Sequence, residues 1–154
     1  MRVAGRPGTY VLVMSCARHQ LLPVGALGML SVCPGYYLYA GSAFGPGGLA
    51  GRLRHHMVFA PRPHWHVDYL RAVTRLEQIW FSYDPIRREH QWASLLRDKS
   101  GSSIPLIGFG ASDCLCESHL FGFRQPPSSI GFRRRVHRTL QGHEAIRTMR
   151  FPAR

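Results

Sequence analysis

The stretch Gly35–Ala43, GYYLYAGSA, crowds three tyrosines and a leucine into four consecutive positions and then gives way to Gly41, Ser42 and Ala43. Aromatic residues at this density favour an extended strand, because a pleated surface gives large rings room on both sides. A period of two sets Tyr37 and Tyr39 on one face and Tyr36 and Leu38 on the other. The run predicts a strand over Tyr36–Gly41 ending at a small, backbone-exposing turn. A tyrosine there either fills the core or holds its phenol beside something that approaches the backbone.

Upstream, Thr9–Cys16 is rich in Val, Tyr and Met and predicts a first strand. Antiparallel pairing of the two runs lets Tyr10 share a face with Tyr39. Between them, Leu21–Val32 mixes aliphatics with Pro23, Gly25 and Gly28, which suits an inserted hairpin. Downstream the period changes to that of a helix, with Leu49, Leu53 and Met57 turned inward and Arg52 and His56 forming a polar line beside them. Gly45, Gly47 and Gly48 stand at its start, where free amides would receive an anion.

A second helix is expected to open after Pro63, with Trp65, Tyr69 and Ala72 at helical spacing. LEQIWFSY reads as a third main strand. Asp84-Pro85 has the form of an N-cap and first helical residue. The helix predicted there turns Ile86, Ala93 and Leu96 inward, with Glu89 on the same stripe. Residues 100–110 are loop-like and SHLFGF is a plausible closing strand. The expected fold is α/β (α+β): a three-stranded antiparallel sheet flanked by helices, with the extra hairpin between its first two strands. The chain divides into an N-terminal segment 1–7, a domain 8–123 and a basic tail 124–154.

The 154 residues suffice for one domain with a real core, and charges or prolines interrupt every apolar run well short of a membrane span. The first residues lack the apolar stretch of a signal peptide, so a cytoplasmic, reducing setting is expected. Lysine and arginine total 20 against 8 acids, a net charge of +12. Residues 124–154 hold eight arginines and the single acid Glu144, a composition suited to a flexible tail. The balance favours an anionic partner, nucleic acid above all, over a membrane surface.

Gly8-Thr9-Tyr10, then YAGSA over Tyr39–Ala43, then GRLRHH over Gly51–His56, resemble in order the GIY-YIG nuclease superfamily. Together with PHWHVDYL and SDCLCESHLFGF, they are similar to a group of small stand-alone proteins of that superfamily, over about residues 8–123. The resemblance implies phosphodiester hydrolysis, of DNA more than RNA, with one Mg²⁺ or Mn²⁺ ion. It makes Tyr10, Tyr39, Arg52, His56 and Glu89 the catalytic candidates, Glu89 the metal ligand, and Gly41, Ser42 and Arg54 substrate contacts. A phenol with a lowered pKa would take a proton from water, and Arg52 would stabilise charge on the phosphate.

Thr9 and Ala40 stand where the family has isoleucine. The chain contains no asparagine, so the family's late asparagine has Ser112 or Asp113 in its approximate place. A non-catalytic nucleic-acid-binding module on the same fold is the alternative. A basic partner in protein assembly is a further one.

Cys114-x-Cys116-x-x-His119 offers three soft ligands, and a fourth from His64 or His66 would complete a zinc site. The same residues also suit a buried, hydrogen-bonded cluster without metal. His66 and Asp68 joining the nuclease site is a third possibility.

Overall fold

The structure, a computed structural model, describes residues 2–58, 61–111 and 114–152. In chain order the strands are β1 (Gly8–Cys16), β2 (Gln20–Pro23), β3 (Met29–Val32), β4 (Gly35–Ala43), β5 (Arg75–Ser82), β6 (Leu120–Phe123) and β7 (Arg147–Arg150). The helices are α1 (Gly48–Met57), α2 (His66–Arg71), α3 (Glu89–Arg97) and α4 (Ser129–Thr139). The main sheet runs β6-β4-β1-β5-β7 with every neighbouring pair antiparallel.

The sheet thus has five strands, where three were expected. β6 and β7 add a four-residue edge on each side, too short to carry much periodic signal of their own. The expected hairpin is present as β2 and β3, a separate two-stranded sheet. Its Val24, Leu30 and Val32 are buried in the same cluster as Tyr10 and Tyr39.

β1 is central and almost wholly buried, because both of its faces are covered. One face carries Tyr10, Leu12 and Met14 under Leu49 and Leu53 of α1 and Val67 and Leu70 of α2. The other carries Val11 and Val13 under Trp92, Ala93 and Leu96 of α3 and Phe132 and Val136 of α4. The alternation expected for β4 holds: Tyr37 and Tyr39 lie in the first cluster, Leu38 and Tyr36 in the second. Met57, expected to turn inward, is the last residue of α1 and is exposed.

Two local readings differ from the structure. Asp84 does not cap a helix. Its carboxylate accepts the Ile86 N–H at 2.9 Å, the Glu144 N–H at 3.0 Å and an Arg88 guanidinium nitrogen at 3.4 Å. These bonds hold a turn, so α3 starts at Glu89, Ile86 is exposed, and Trp92, Ala93, Leu95 and Leu96 face inward.

The segment after Phe123, expected as a flexible tail, forms α4 and β7. Phe132, Val136 and Ile146 are buried, and β7 pairs with β5 from Gln78 to Phe81. The arginines hid an apolar spacing of four residues between Phe132 and Val136. No described helix is long and apolar enough to cross a membrane.

Candidate functional site

β4 is paired with β6 only from Tyr36 to Tyr39, and its next amide, Ala40 N–H, donates to the His119 carbonyl at 2.9 Å. Past that point no described strand pairs with its outer edge. Side chains from both faces of the sheet meet there, around a cavity of about 330 Å³. Tyr39 and Arg52 enter from the α1 side, and Ser42 and Glu89 from the α3 side.

The turn expected at Gly41 is not there: β4 runs on through Gly41 to Ala43, and Gly41 is small for another reason. A Cβ at Gly41 would lie 2.5 Å from the Tyr10 phenol oxygen, so the ring of Tyr10 fills the space a side chain would need. Tyr10 is fully buried and shares a 2.7 Å hydrogen bond with Nε2 of His56, itself 1% exposed. These two residues lie behind the cavity, supporting its wall. Tyr39 lines the cavity, with its ring 6.5 Å from that of Tyr10.

Burial governs the titration of this group. It pushes the Tyr10 phenol upward, against the opposing pull of Arg52, and holds the Tyr39 phenol well above the ordinary range. Burial, with His55 next in effect, brings His56 down to about 3, so that imidazole is neutral. A phenol pKa lowered by cations and a bound metal was expected; at both tyrosines burial outweighs the arginine charge.

Arg52 donates to the Ser42 carbonyl at 3.0 Å and lies over the Trp65 ring at 4.2 Å. The stacking fixes the guanidinium plane and leaves other N–H donors for the cavity. Ser42 Oγ donates to Glu89 Oε1 at 2.7 Å. The second carboxylate oxygen lies 2.7 Å from His119 Nδ1, an ion pair somewhat off the ideal hydrogen-bond line. Burial alone would raise the Glu89 carboxyl, but His119 and Ser42 outweigh it and hold the group below its usual range. Glu89 is the first residue of α3, where the helix dipole also favours a negative charge.

The glycine-rich start of α1 is not an open anion site. The Gly48, Leu49 and Ala50 amides donate to the carbonyls of Gly45, Arg6 and Ala4 at 3.2, 2.8 and 3.2 Å. The N-terminal segment occupies the place predicted for a phosphate. Arg54 is exposed and does not line the cavity. Arg87, on the turn before α3, does line it, with its guanidinium carbon 4.9 Å from the Phe44 ring centroid.

His66 and Asp68 do not join this group. His66 Nδ1 accepts the Gly110 N–H at 2.9 Å. Asp68 accepts the His64 and Trp65 amides at 2.8 and 3.0 Å and pairs with His55 at 2.9 Å, tying down the start of α2. Ser112 and Asp113 lie outside the described residues.

Cys114, Cys116 and His119 do converge, and the fourth residue is His90 of α3 in place of His64 or His66. Ligand atoms of these four all lie within 4.8 Å of one another. Sequence spacing missed His90 because the partners are 24 or more residues away. Its signal was adjacency to Glu89, since neighbouring side chains in a first helical turn can serve neighbouring sites. His55, His56 and Asp68 form a second group that could hold a metal ion, although His55 and His56 already bond to Asp68 and Tyr10.

No curated protein and no solved structure matches the chain. Residues 9–142 match a family described as "Domain of unknown function DUF123", a span that begins in β1, takes in every cavity residue and continues through α4. The chain belongs to the DUF123 family.

Proposed function

We propose that the chain is a metal-dependent phosphodiesterase of the GIY-YIG type that cuts nucleic acid, DNA in preference to RNA. The observation carrying this reading is one open cavity that holds Tyr39, Arg52, Arg87 and Glu89 together. A phosphate entering it meets two guanidinium groups, while the phenol and the carboxylate stand within the same small volume. Arg52, held by stacking, orients a phosphate oxygen and stabilises the negative charge that grows during attack.

The donor set fits Mg²⁺ or Mn²⁺ in part. Glu89 is a partly exposed carboxylate beside the Ser42 hydroxyl, and such ions bind through one or two carboxylates, with water and substrate phosphate supplying the rest. Bound there, the ion would polarise the phosphate and help generate the attacking hydroxide. Tyr39 keeps its proton at neutral pH and acts first as a hydrogen-bond donor to the substrate. Tyr10 and His56 keep the Tyr39 ring in place.

Arg133, Arg134 and Arg138 on the exposed side of α4 extend the positive surface that attracts the nucleic acid backbone. The four cysteines are free, consistent with a reducing, cytoplasmic setting. Burial of Tyr10, with high phenol pKa values, favours a second reading in which the domain binds nucleic acid and does not cut it.

Incubation of purified protein with branched, nicked and linear DNA, with Mg²⁺ or Mn²⁺, separates the two. Cleavage that disappears in Arg52→Lys and Glu89→Gln supports the enzyme. Salt-sensitive binding without cleavage in the wild-type protein supports the binding module.

A further inference from the structure

We infer that His90, Cys114, Cys116 and His119 form a tetrahedral zinc site, and that Glu89 is the carboxylate that orients its histidine ligand. Two ligand pairs already stand at coordination spacing. His119 Nε2 is 3.4 Å from Cys114 Sγ, and His90 Nδ1 is 3.2 Å from Cys116 Sγ. Around tetrahedral zinc, with bonds of about 2.0 Å to nitrogen and 2.3 Å to sulfur, a nitrogen and a sulfur are separated by roughly 3.6 Å. The four atoms need only small movements to close on one ion.

The loop is shaped to deliver them. Leu115, between the two cysteines, is fully exposed, so the turn gives up an apolar side chain to solvent while both thiols face His90 and His119. Three backbone bonds brace this loop: Gly108 N–H to the Glu117 carbonyl at 2.6 Å, His119 N–H to the Phe109 carbonyl at 2.8 Å, and Cys114 N–H to the Ala111 carbonyl at 3.4 Å.

His119 links the four ligands to the cavity. With Nε2 on the sulfur side, its other nitrogen lies 2.7 Å from Glu89 Oε2. A carboxylate behind a ligating histidine fixes the ring and raises its basicity. Two thiolates would balance the charge of the ion, and their two protons leave for solvent on binding. Glu89 then stands between two sites, one oxygen turned to Ser42 and the cavity and the other to the zinc ligand. Zinc would thereby set the position of the cavity's carboxylate.

The site does not depend on cleavage, and its test reads the metal alone. Protein made without a histidine tag and kept reduced should contain about one zinc per chain by elemental analysis. After chelation, added Co²⁺ should give the strong visible bands of a tetrahedral ion together with a thiolate-to-cobalt charge-transfer band. His90 is exposed, so His90→Ala should fold and lose most of this spectrum. Glu89→Gln should keep the thiolate band but weaken affinity by about 10–100-fold, and His66→Ala should change nothing.

Absence of bound metal together with absence of the thiolate band overturns the inference. So does an unaltered spectrum in His90→Ala, or a weak six-coordinate spectrum from cobalt held at Glu89 alone. Failure of the nuclease reading would leave all these results standing.

Discussion

The two faces of the central sheet are built on different principles. Under α3 and α4 the packing is aromatic: Phe132 sits 5.1 Å from Trp80 and 5.2 Å from Trp92, ring centre to ring centre. Its main polar handle, Trp92 Nε1–H, donates to His143 Nε2 at 3.0 Å. Under α1 and α2 the same sheet buries Tyr10, His56 and Asp68, each bonded to another polar group or to a backbone amide, with Tyr39 packed beside them at the cavity. A buried polar group without a partner costs about 1–3 kcal/mol, so this arrangement is stable only as a connected set. The first face tolerates change wherever volume is preserved; the second is weakened when a hydrogen-bonded member such as Tyr10, His56 or Asp68 loses its partner.

The largest test of this contrast is to remove residues 124–154. The apolar face then loses Phe132, Val136 and Ile146, and β5 loses its partner β7. Each fully buried side chain of this size contributes roughly 1.5–3 kcal/mol, against a total stability of about 5–15 kcal/mol. The truncated chain should lose its cooperative thermal transition. A truncated protein that melts normally would return the segment to the status of a dispensable tail.

Asp84→Asn comes next, because Asp84 joins the entry to α3 with the C-terminal segment through Ile86, Arg88 and Glu144. Removing one partner of a buried ion pair costs about 3–5 kcal/mol. Burial would raise the Asp84 carboxyl, but the two amides and Arg88 hold it below the ordinary 3.8. A depressed folded value means the carboxylate's contribution is complete above that pH and lost as pH falls through the folded pKa. The gap between wild type and variant in urea melts should therefore be full at pH 6 and shrink as acid is added below about 3.8. A gap independent of pH would show that the carboxylate acts by shape alone.

A smaller effect sharpens the division within the polar face. Tyr10→Phe leaves His56 Nε2 without its partner and should lower stability by about 1–3 kcal/mol. Tyr39→Phe loses a hydroxyl at the cavity, with little effect on melting. If the site cuts nucleic acid, Tyr39→Phe should reduce the rate on the order of 10²-fold and Tyr10→Phe by much less. Equal losses in both would mean that the two phenols act as one unit.

How much of this was readable from the sequence follows the same division. The alternation in GYYLYAGSA located β4 and its faces, but Gly41 read as a turn when it is a strand position whose side chain would clash with the Tyr10 ring. Leu49 and Leu53 gave α1. Asp84-Pro85 misled because the same pair that opens helices also closes tight turns, and the partner that decides, Glu144, is 60 residues away. The arginines of α4 drew attention to charge and away from Phe132 and Val136. In the candidate site, Tyr39, Arg52 and Glu89 were legible, whereas His90 and Arg87 were not. They reach the cavity through the late start of α3, which no local pattern announces.

The position of β7 bears on how the chain can be made. It is laid against β5, whose pairing residues precede it by about 70 positions, and α4, which covers Trp80, is nearly as distant. At a synthesis rate of roughly 5–20 residues per second, several seconds separate the emergence of Trp80 from that of its cover. During that interval the nascent chain carries an unshielded aromatic surface beside an unfinished strand edge. Folding on the ribosome would thus leave one side of the sheet waiting while the other, whose helices α1 and α2 are already made, closes first.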